Sequence, residues 1–136
     1  MIRVIFGEKG TGKTKRIIDM ANSTSKEAKG SVVFIDDDSR YMFDLTREIR
    51  FVDASRFEID GPKMFYGFLC GIAAQDFDLE HLFIDGFLKI VHHDLNTLEG
   101  LFEHLKKFAE DCSLTITISI SGKRDNIPEF LKEFLF

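Results

Sequence analysis

The chain has 136 residues, of which 44% are hydrophobic and 30% are charged, and its net charge at pH 7 is −5. This size suits one domain over residues 1–136, and a hydrophobic chain with a modest net charge is not expected to be disordered. The acidic balance argues against bulk nucleic acid as a partner, and no apolar run reaches the ~18 residues of a membrane-spanning helix, so we expect neither nucleic-acid nor membrane binding.

Cysteine usage and the first residues predict a cytoplasmic protein. Cys70 and Cys112 are too few and too far apart in sequence for a disulfide framework or a CxxC pair. The chain opens with Met1-Ile2-Arg3-Val4, which does not resemble a signal peptide. Almost every large ring is Phe, with 15 Phe against 2 Tyr and no Trp. These rings recur on the predicted strands and helix stripes, so we expect them in the core.

The first predicted elements are a strand and a helix. Residues 4–6 form an apolar run that ends at Gly7 and predict a buried strand. A helix is expected to begin within residues 12–14 and to continue through Ala21. The polar cluster at residues 22–25 is interpreted as a loop.

The middle of the chain predicts two further strands and two helices. A buried strand at residues 32–35 ends in three consecutive Asp, and a short strand is expected at residues 51–52. Ser39 is predicted to cap a short helix. A helix that opens at Pro62 carries one apolar stripe, formed by Met64, Phe65, Phe68, Leu69 and Ile72.

The remaining elements complete a strand–helix alternation. A buried strand at residues 82–84 ends in Asp85, and residues 114–120 predict another strand. Asn96 and Glu99 resemble a capping box that opens a long amphipathic helix, and Pro128 lies near the start of a terminal helix. This alternation favours a parallel α/β sheet with helices on its faces.

The segment after the first strand matches a phosphate-binding loop. Residues 7–14 fit G-x-x-x-x-G-K-[ST] without substitution, in the order Gly7, Glu8, Lys9, Gly10, Thr11, Gly12, Lys13 and Thr14. Glycines allow backbone N–H groups to surround phosphate oxygens, and the following helix presents its positive N-terminus to the same anion. In this motif Lys13 bridges the terminal phosphates, and the Thr14 hydroxyl is a magnesium ligand.

A nucleoside triphosphate site also needs an acid near the metal, at the end of a buried strand. Asp36 and Asp85 both satisfy this condition, because each follows an apolar run. An isolated Asp at a strand end is more often only a cap, but the neighbouring phosphate loop favours a functional role. The choice between the two acids depends on family resemblance.

The chain resembles a small P-loop ATPase of the RecA-like type, in the class with an additional strand. The resemblance rests on the phosphate loop and on residues 33–38, 82–86 and 114–121, which are similar to the second strand, the Walker B strand and the γ-phosphate-sensing strand of that family. It implies a three-layer αβα P-loop NTPase fold with a small, mainly parallel sheet. It also implies ATP and Mg²⁺ as ligands, Asp85 as the magnesium acid, and Ser121 or Ser119 as the sensor.

The resemblance further implies where the catalytic carboxylate lies. Many members of the class place Glu directly after the Walker B Asp, and here that position is Gly86. RecA-like members take the carboxylate from the end of the second strand, where this chain offers Asp37 and Asp38. Because Asp is one methylene shorter than Glu, unaided hydrolysis is expected to be slow. The candidates for an arginine finger are Arg47, Arg50, Arg56 and Arg124.

We therefore expect a slow ATPase or nucleotide-dependent switch that uses Lys13 and one of these carboxylates. The alternatives are a non-hydrolysing ATP-binding interaction module and a small-molecule kinase, although no Arg-rich lid segment is evident. GTP is disfavoured, because residues 122–125 nearly match N-K-x-D but begin with Gly. The adjacent His92 and His93 lack the spacing of metal ligands.

A protein partner or a second copy is also expected. The resemblance implies a further strand flanking the strand before the phosphate loop, but the last ten or so residues of this chain predict a helix. We therefore expect residues 4–6 to lie at or near a sheet edge, and an open edge is prone to pairing. We expect a partner to cover this edge. Gly67 and Gly71 form a GxxxG pattern that predicts close helix packing, and the terminal Phe residues are expected to pack on the sheet rather than on a partner.

Overall fold

The structure is a computed structural model that describes residues 1–136. Five parallel strands form one sheet in the spatial order β1-β5-β4-β2-β3. Their bounds are β1 (Ile2–Gly7), β2 (Ser31–Asp36), β3 (Ile49–Asp53), β4 (Leu79–Ile84) and β5 (Thr115–Ser121). The predicted parallel α/β sheet is confirmed, and each of the five expected strands is present. Because all strands run in the same direction, their carboxyl ends lie along one edge of the sheet.

Helices cover both faces of this sheet and give three layers. The first helix packs on one face, and the other three pack on the opposite face together with a terminal 3₁₀ segment, Glu129–Phe134. The helices are α1 (Lys13–Glu27), α2 (Pro62–Ala74), α3 (Phe87–Val91) and α4 (Glu99–Asp111). None of them is long and apolar enough to cross a lipid bilayer. The expected three-layer αβα architecture is therefore present.

Phenylalanine fills much of both cores. On the face covered by α1, three neighbouring strands carry Phe51, Phe34 and Phe83 in register. The Phe34 ring stacks on each of the other two with centroids 6.4 Å apart. On the opposite face, Phe102 contacts three further rings, those of Phe87, Phe130 and Phe134.

The predicted loop at residues 22–25 is wrong, because α1 continues to Glu27. Asn22 Nδ2 donates to the Asp44 carbonyl at 3.0 Å, and Asn22 Oδ1 accepts from the Thr46 N–H at 2.9 Å. These contacts join the helix to the segment between β2 and β3. The polar groups of Asn22 are therefore satisfied without ending the helix.

The predicted capping box is also wrong. Leu98 precedes α4 and offers no side-chain cap, whereas Asp94 Oδ1 accepts from the Asn96 N–H and caps a 3₁₀ turn, Leu95–Thr97. The predicted Ser39 cap fails in a similar way, since only a 3₁₀ turn follows, at Met42–Asp44, without a side-chain cap. The terminal segment is 3₁₀ rather than α-helical, and the short α3 has no counterpart among the predicted elements.

β1 lies at one edge of the sheet, as the resemblance predicts, and the chain itself covers part of that edge. Leu135 forms a parallel bridge with Val4, and the Phe136 N–H donates to the Val4 carbonyl at 2.9 Å. The guanidinium groups of Arg3 and Arg16 lie over the Phe136 ring, 4.9 and 5.2 Å from its centroid. The edge at Val4 therefore needs no external partner, and a partner elsewhere stays a prediction.

Candidate functional site

The phosphate loop connects β1 to α1 and adopts a conformation that its glycines permit. Gly10 and Gly12 have φ of +84° and +87°, in the left-handed region that favours glycine. The Thr11 hydroxyl donates to the Glu8 carbonyl at 2.7 Å, and Lys13 Nζ donates to the same carbonyl at 2.9 Å. Lys13 therefore reaches back across the loop, and burial lowers its pKa while the charge of Asp85 opposes that shift.

Asp85 follows β4 and connects the phosphate loop to two strands. The Thr14 hydroxyl donates to Asp85 Oδ2 at 3.0 Å, and the Ser119 hydroxyl donates to Asp85 Oδ1. β5 lies between β1 and β4, so a serine of β5 is within reach of the Asp that follows β4. Asp85 and Ser119 are both buried. The structure thus brings together three side chains that are far apart in the sequence.

Asp36, at the end of β2, is a buried carboxyl with an incomplete set of partners. Its Oδ1 accepts from the Asp37 N–H at 2.8 Å, whereas its Oδ2 is buried and has no hydrogen-bond partner. Burial, the hydrogen-bonded neighbour Asp37 and the charge of Asp85 raise the pKa of Asp36 to about 8. This carboxyl is therefore mostly protonated below that pH.

Asp37 lies against Gly86, and this contact explains why position 86 has no room for a side chain. Gly86 has φ of +68°, and a Cβ at this position would collide with Asp37 Oδ1 and lie 2.9 Å from Asp37 Cγ. The carboxylate of Asp37 therefore occupies the space that a side chain at position 86 would need. Lys89 Nζ of α3 lies 4.0 Å from Asp37 Oδ2. Asp38 instead pairs with Arg40 at 3.1 Å and is more exposed.

These residues line one cavity of about 400 Å³ at the carboxyl ends of the strands. Seven of the predicted site residues other than glycine line it, namely Lys9, Lys13, Thr14, Asp37, Asp38, Asp85 and Ser121, together with Gly10 and Gly12. Ser121 and Ser119 both reach the cavity, but only Ser119 bonds to Asp85. A smaller cavity of about 270 Å³ on the other side of the loop is lined by Gly7, Glu8, Thr11 and Arg124.

Sequence reasoning missed two cations that line the cavity of about 400 Å³, Arg40 and Lys89. Arg40 comes directly after the acidic cluster and Ser39, which is a weak sequence signal, and Lys89 lies on the unpredicted α3, where no signal pointed to it. Three of the predicted arginine candidates, Arg47, Arg50 and Arg56, are exposed and do not line either cavity.

The comparisons with known proteins concern the fold. No protein-family model matches the chain, and no curated protein sequence matches it. Among solved structures, it is similar to the flagellar accessory protein FlaH from Methanocaldococcus jannaschii, with a TM-score of 0.58 and 13% sequence identity over 97% of this chain. The chain spans 65% of the length of that FlaH chain. This likeness shows a shared fold and agrees with the three-layer αβα architecture.

Proposed function

We propose that the chain binds ATP–Mg²⁺ at the loop Gly7–Thr14 and acts as a slow ATPase or nucleotide-dependent switch of the RecA-like class. In this proposal, residues 1–136 form one nucleotide-binding domain in the cytoplasm. The observation that carries the proposal is the 3.0 Å hydrogen bond from the Thr14 hydroxyl to Asp85 Oδ2. It joins the last residue of the phosphate-loop motif to the acid that follows β4, beside a cavity of about 400 Å³. ATP-binding proteins of this fold need both groups at one place.

The donor set fits a magnesium ion. Mg²⁺ prefers oxygen ligands and takes one or two protein oxygens together with phosphates and water. Thr14 would supply the hydroxyl ligand, and Asp85 would act as the nearby acid, already held in orientation by Ser119. When bound, the ion would neutralise charge on the phosphate oxygens.

The loop and α1 would hold the phosphates. The left-handed Gly10 and Gly12 and the N-terminus of the 15-residue α1 are suited to an anion, because backbone N–H groups and the helix dipole both favour negative charge. Lys13 Nζ would exchange its bond to the Glu8 carbonyl for a bond to a terminal phosphate oxygen. Lys13 lies in the same cavity as Asp85.

Asp37 is the best candidate for the carboxylate that orients the attacking water. Its carboxylate fills the space beside Gly86, the position at which many relatives in the wider class carry Glu. Asp36 is less suited, because its raised pKa keeps it protonated near neutral pH. Asp38 is bound to Arg40. Ser121 or Ser119 would sense the γ-phosphate, and a protein partner or second copy would supply any arginine finger.

This proposal is tested by measuring phosphate release from ATP–Mg²⁺ by the wild type, by Asp37→Asn and by the matched control Asp38→Asn. We expect Asp37→Asn to lower kcat by about 10²-fold or more, with KM within a few-fold, because it removes a group that acts on the water alone. Asp38→Asn should change kcat by less than about tenfold, since Asp38 is already paired. Full activity in Asp37→Asn would contradict the assignment of Asp37.

The same assay separates the alternatives. Tight ATP binding without phosphate release in the wild type would identify a non-hydrolysing binding module. Phosphate transferred to an added metabolite, rather than to water, would identify a small-molecule kinase.

A further inference from the structure

Helix α2 presents an apolar face to solvent. Of its 13 residues only Lys63 is charged, and only Phe65 and Leu69 are buried in the core. The exposed side carries Met64, which is 51% exposed, and small residues at helical spacing, namely Gly67, Gly71 and Ala74. A helix on a protein surface normally turns a charged or polar side to water, so this face departs from the usual pattern.

Two aromatic rings, those of Phe57 and Phe68, lie beside the same face. Phe57, in the 3₁₀ turn before α2, is 53% exposed, and its ring contacts the Phe68 ring with centroids 5.5 Å apart. Together with Met64, these rings stand beside the positions of Gly67 and Gly71, which have no side chain. The exposed face therefore combines large apolar groups with two positions that carry no side chain. Large apolar side chains are typical anchors of protein interfaces.

The two glycines are not explained by packing within the chain. A Cβ added at Gly67 or at Gly71 would meet nothing within 4 Å. Each glycine inside a helix costs about 1 kcal/mol relative to alanine. The close packing predicted from the GxxxG pattern is therefore not made inside the chain. Close approach of another backbone would give both glycines a role.

We infer that α2 is the contact between two copies of this chain, crossing antiparallel about a two-fold axis near the middle of the helix. An axis between Leu69 and Cys70 would place Phe68 of one copy over the partner's Gly71. It would also place Lys63 opposite the partner's Asp76. Because the two-fold axis repeats each contact, Asp76 would likewise lie opposite the partner's Lys63.

The charges at the two ends of α2 favour a second copy of the chain, in antiparallel orientation, as the binding partner. Lys63 near the N-terminus and Asp76 just after the C-terminus form no ion pair within the chain. An antiparallel second copy brings these opposite charges together twice, at the rim of an uncharged centre. A parallel pair would bring like charges together instead, which is unfavourable. The opposite charges of Lys63 and Asp76 therefore favour an antiparallel second copy over a parallel one.

This inference is tested by measuring the molar mass of the protein in solution. Sedimentation equilibrium gives this value over a wide range of protein concentration, without nucleotide. We expect the wild type to form a dimer. In Gly71→Glu we expect the dimer Kd to rise by at least roughly tenfold, because a charge would enter an apolar interface. The substitution replaces a helical glycine in open space, so the monomer should remain folded.

Gly100→Glu is the matched control. Gly100 is also an exposed helical glycine at which an added Cβ meets nothing, but it lies on α4. This variant should dimerise as the wild type does. Lys63→Glu and Asp76→Lys should each weaken the dimer, and the double variant should regain most of the wild-type affinity. A monomeric wild type at the highest concentration, or a Gly71→Glu variant with unchanged Kd, would overturn the inference.

Discussion

Four aspartates lie at the carboxyl ends of β2 and β4, and each meets a different environment. Asp85 accepts two side-chain hydrogen bonds, whereas Asp36 is buried with one oxygen unpartnered. Asp37 packs against Gly86, and Asp38 pairs with Arg40. The four aspartates at this edge of the sheet therefore differ in role. Asp85 is hydrogen-bonded to the phosphate loop, Asp36 is a buried acid, and Asp37 and Asp38 are the two candidate catalytic carboxylates.

The raised pKa of Asp36 predicts that its ionisation destabilises the fold. In the unfolded chain an Asp ionises near pH 3.9, whereas in the folded chain burial and the neighbours Asp37 and Asp85 raise this pKa to about 8. Between these values the folded state holds a proton that the unfolded state has lost. The contribution of Asp36 to the free energy of unfolding therefore falls as pH rises, by at most about 1.4 kcal/mol per pH unit.

Urea unfolding of the wild type and Asp36→Asn, at about pH 5 and about pH 7.5, measures this contribution. We expect Asp36→Asn to gain stability relative to the wild type as pH rises, because asparagine cannot ionise. Asp38→Asn, at a carboxylate more exposed than that of Asp36, serves as the control and should follow the wild type. The same pH dependence in the wild type and Asp36→Asn would refute the prediction.

At the residue scale, the motif predicted Thr14, and family resemblance selected Asp85 from the two acids at strand ends. The choice between Asp37 and Asp38 as the catalytic carboxylate stayed open, because two consecutive residues differ only in the direction that the backbone gives each side chain. Lys89 was missed since it enters the cavity from α3, a helix of five residues that no periodicity could reveal. Such positions depend on tertiary packing.

At the scale of elements, apolar runs predicted all five strands, and helix ends were predicted less well. The polar residues at the end of α1 remain helical because Asn22 bonds to a neighbouring segment, a contact that the local sequence does not contain. The Asn96–Glu99 pattern has the spacing of a capping box, yet Asp94 caps an earlier turn. Several local sequence patterns can therefore predict a helix end, and contacts with residues distant in the sequence determine where the helix begins or ends.

The stacked rings of Phe51, Phe34 and Phe83 should be important for stability, because they join three strands beneath α1. We expect Phe34→Leu to lower the free energy of unfolding by about 1–2 kcal/mol, since Phe34 is fully buried. Phe77→Leu is the control, because Phe77 is fully exposed, and its effect should stay within about 0.5 kcal/mol. Chemical denaturation measures both values, and equal effects would contradict this account.

At the scale of the whole molecule, the alternation of strands and helices predicted a parallel sheet, and family resemblance predicted only that the first strand lies at or near its edge. The observed order places β1 at the edge of the sheet and β5 between β1 and β4. The distribution of helices over the two faces, and the contact of Leu135 with Val4, were not predictable, because they depend on how distant segments meet. The fold brings the phosphate loop, Asp85 and the acids after β2 into one cavity.

Calorimetric titration of the protein with ATP–Mg²⁺ tests the central claim most directly, with Lys13→Ala and the control Lys26→Ala on the same helix. We expect the wild type and Lys26→Ala to bind with similar Kd. In Lys13→Ala the Kd should rise by about tenfold or more, because a charge-assisted bond to phosphate is lost. No binding to the wild type, or equal binding by Lys13→Ala, would contradict the claim that Gly7–Thr14 is a nucleotide site.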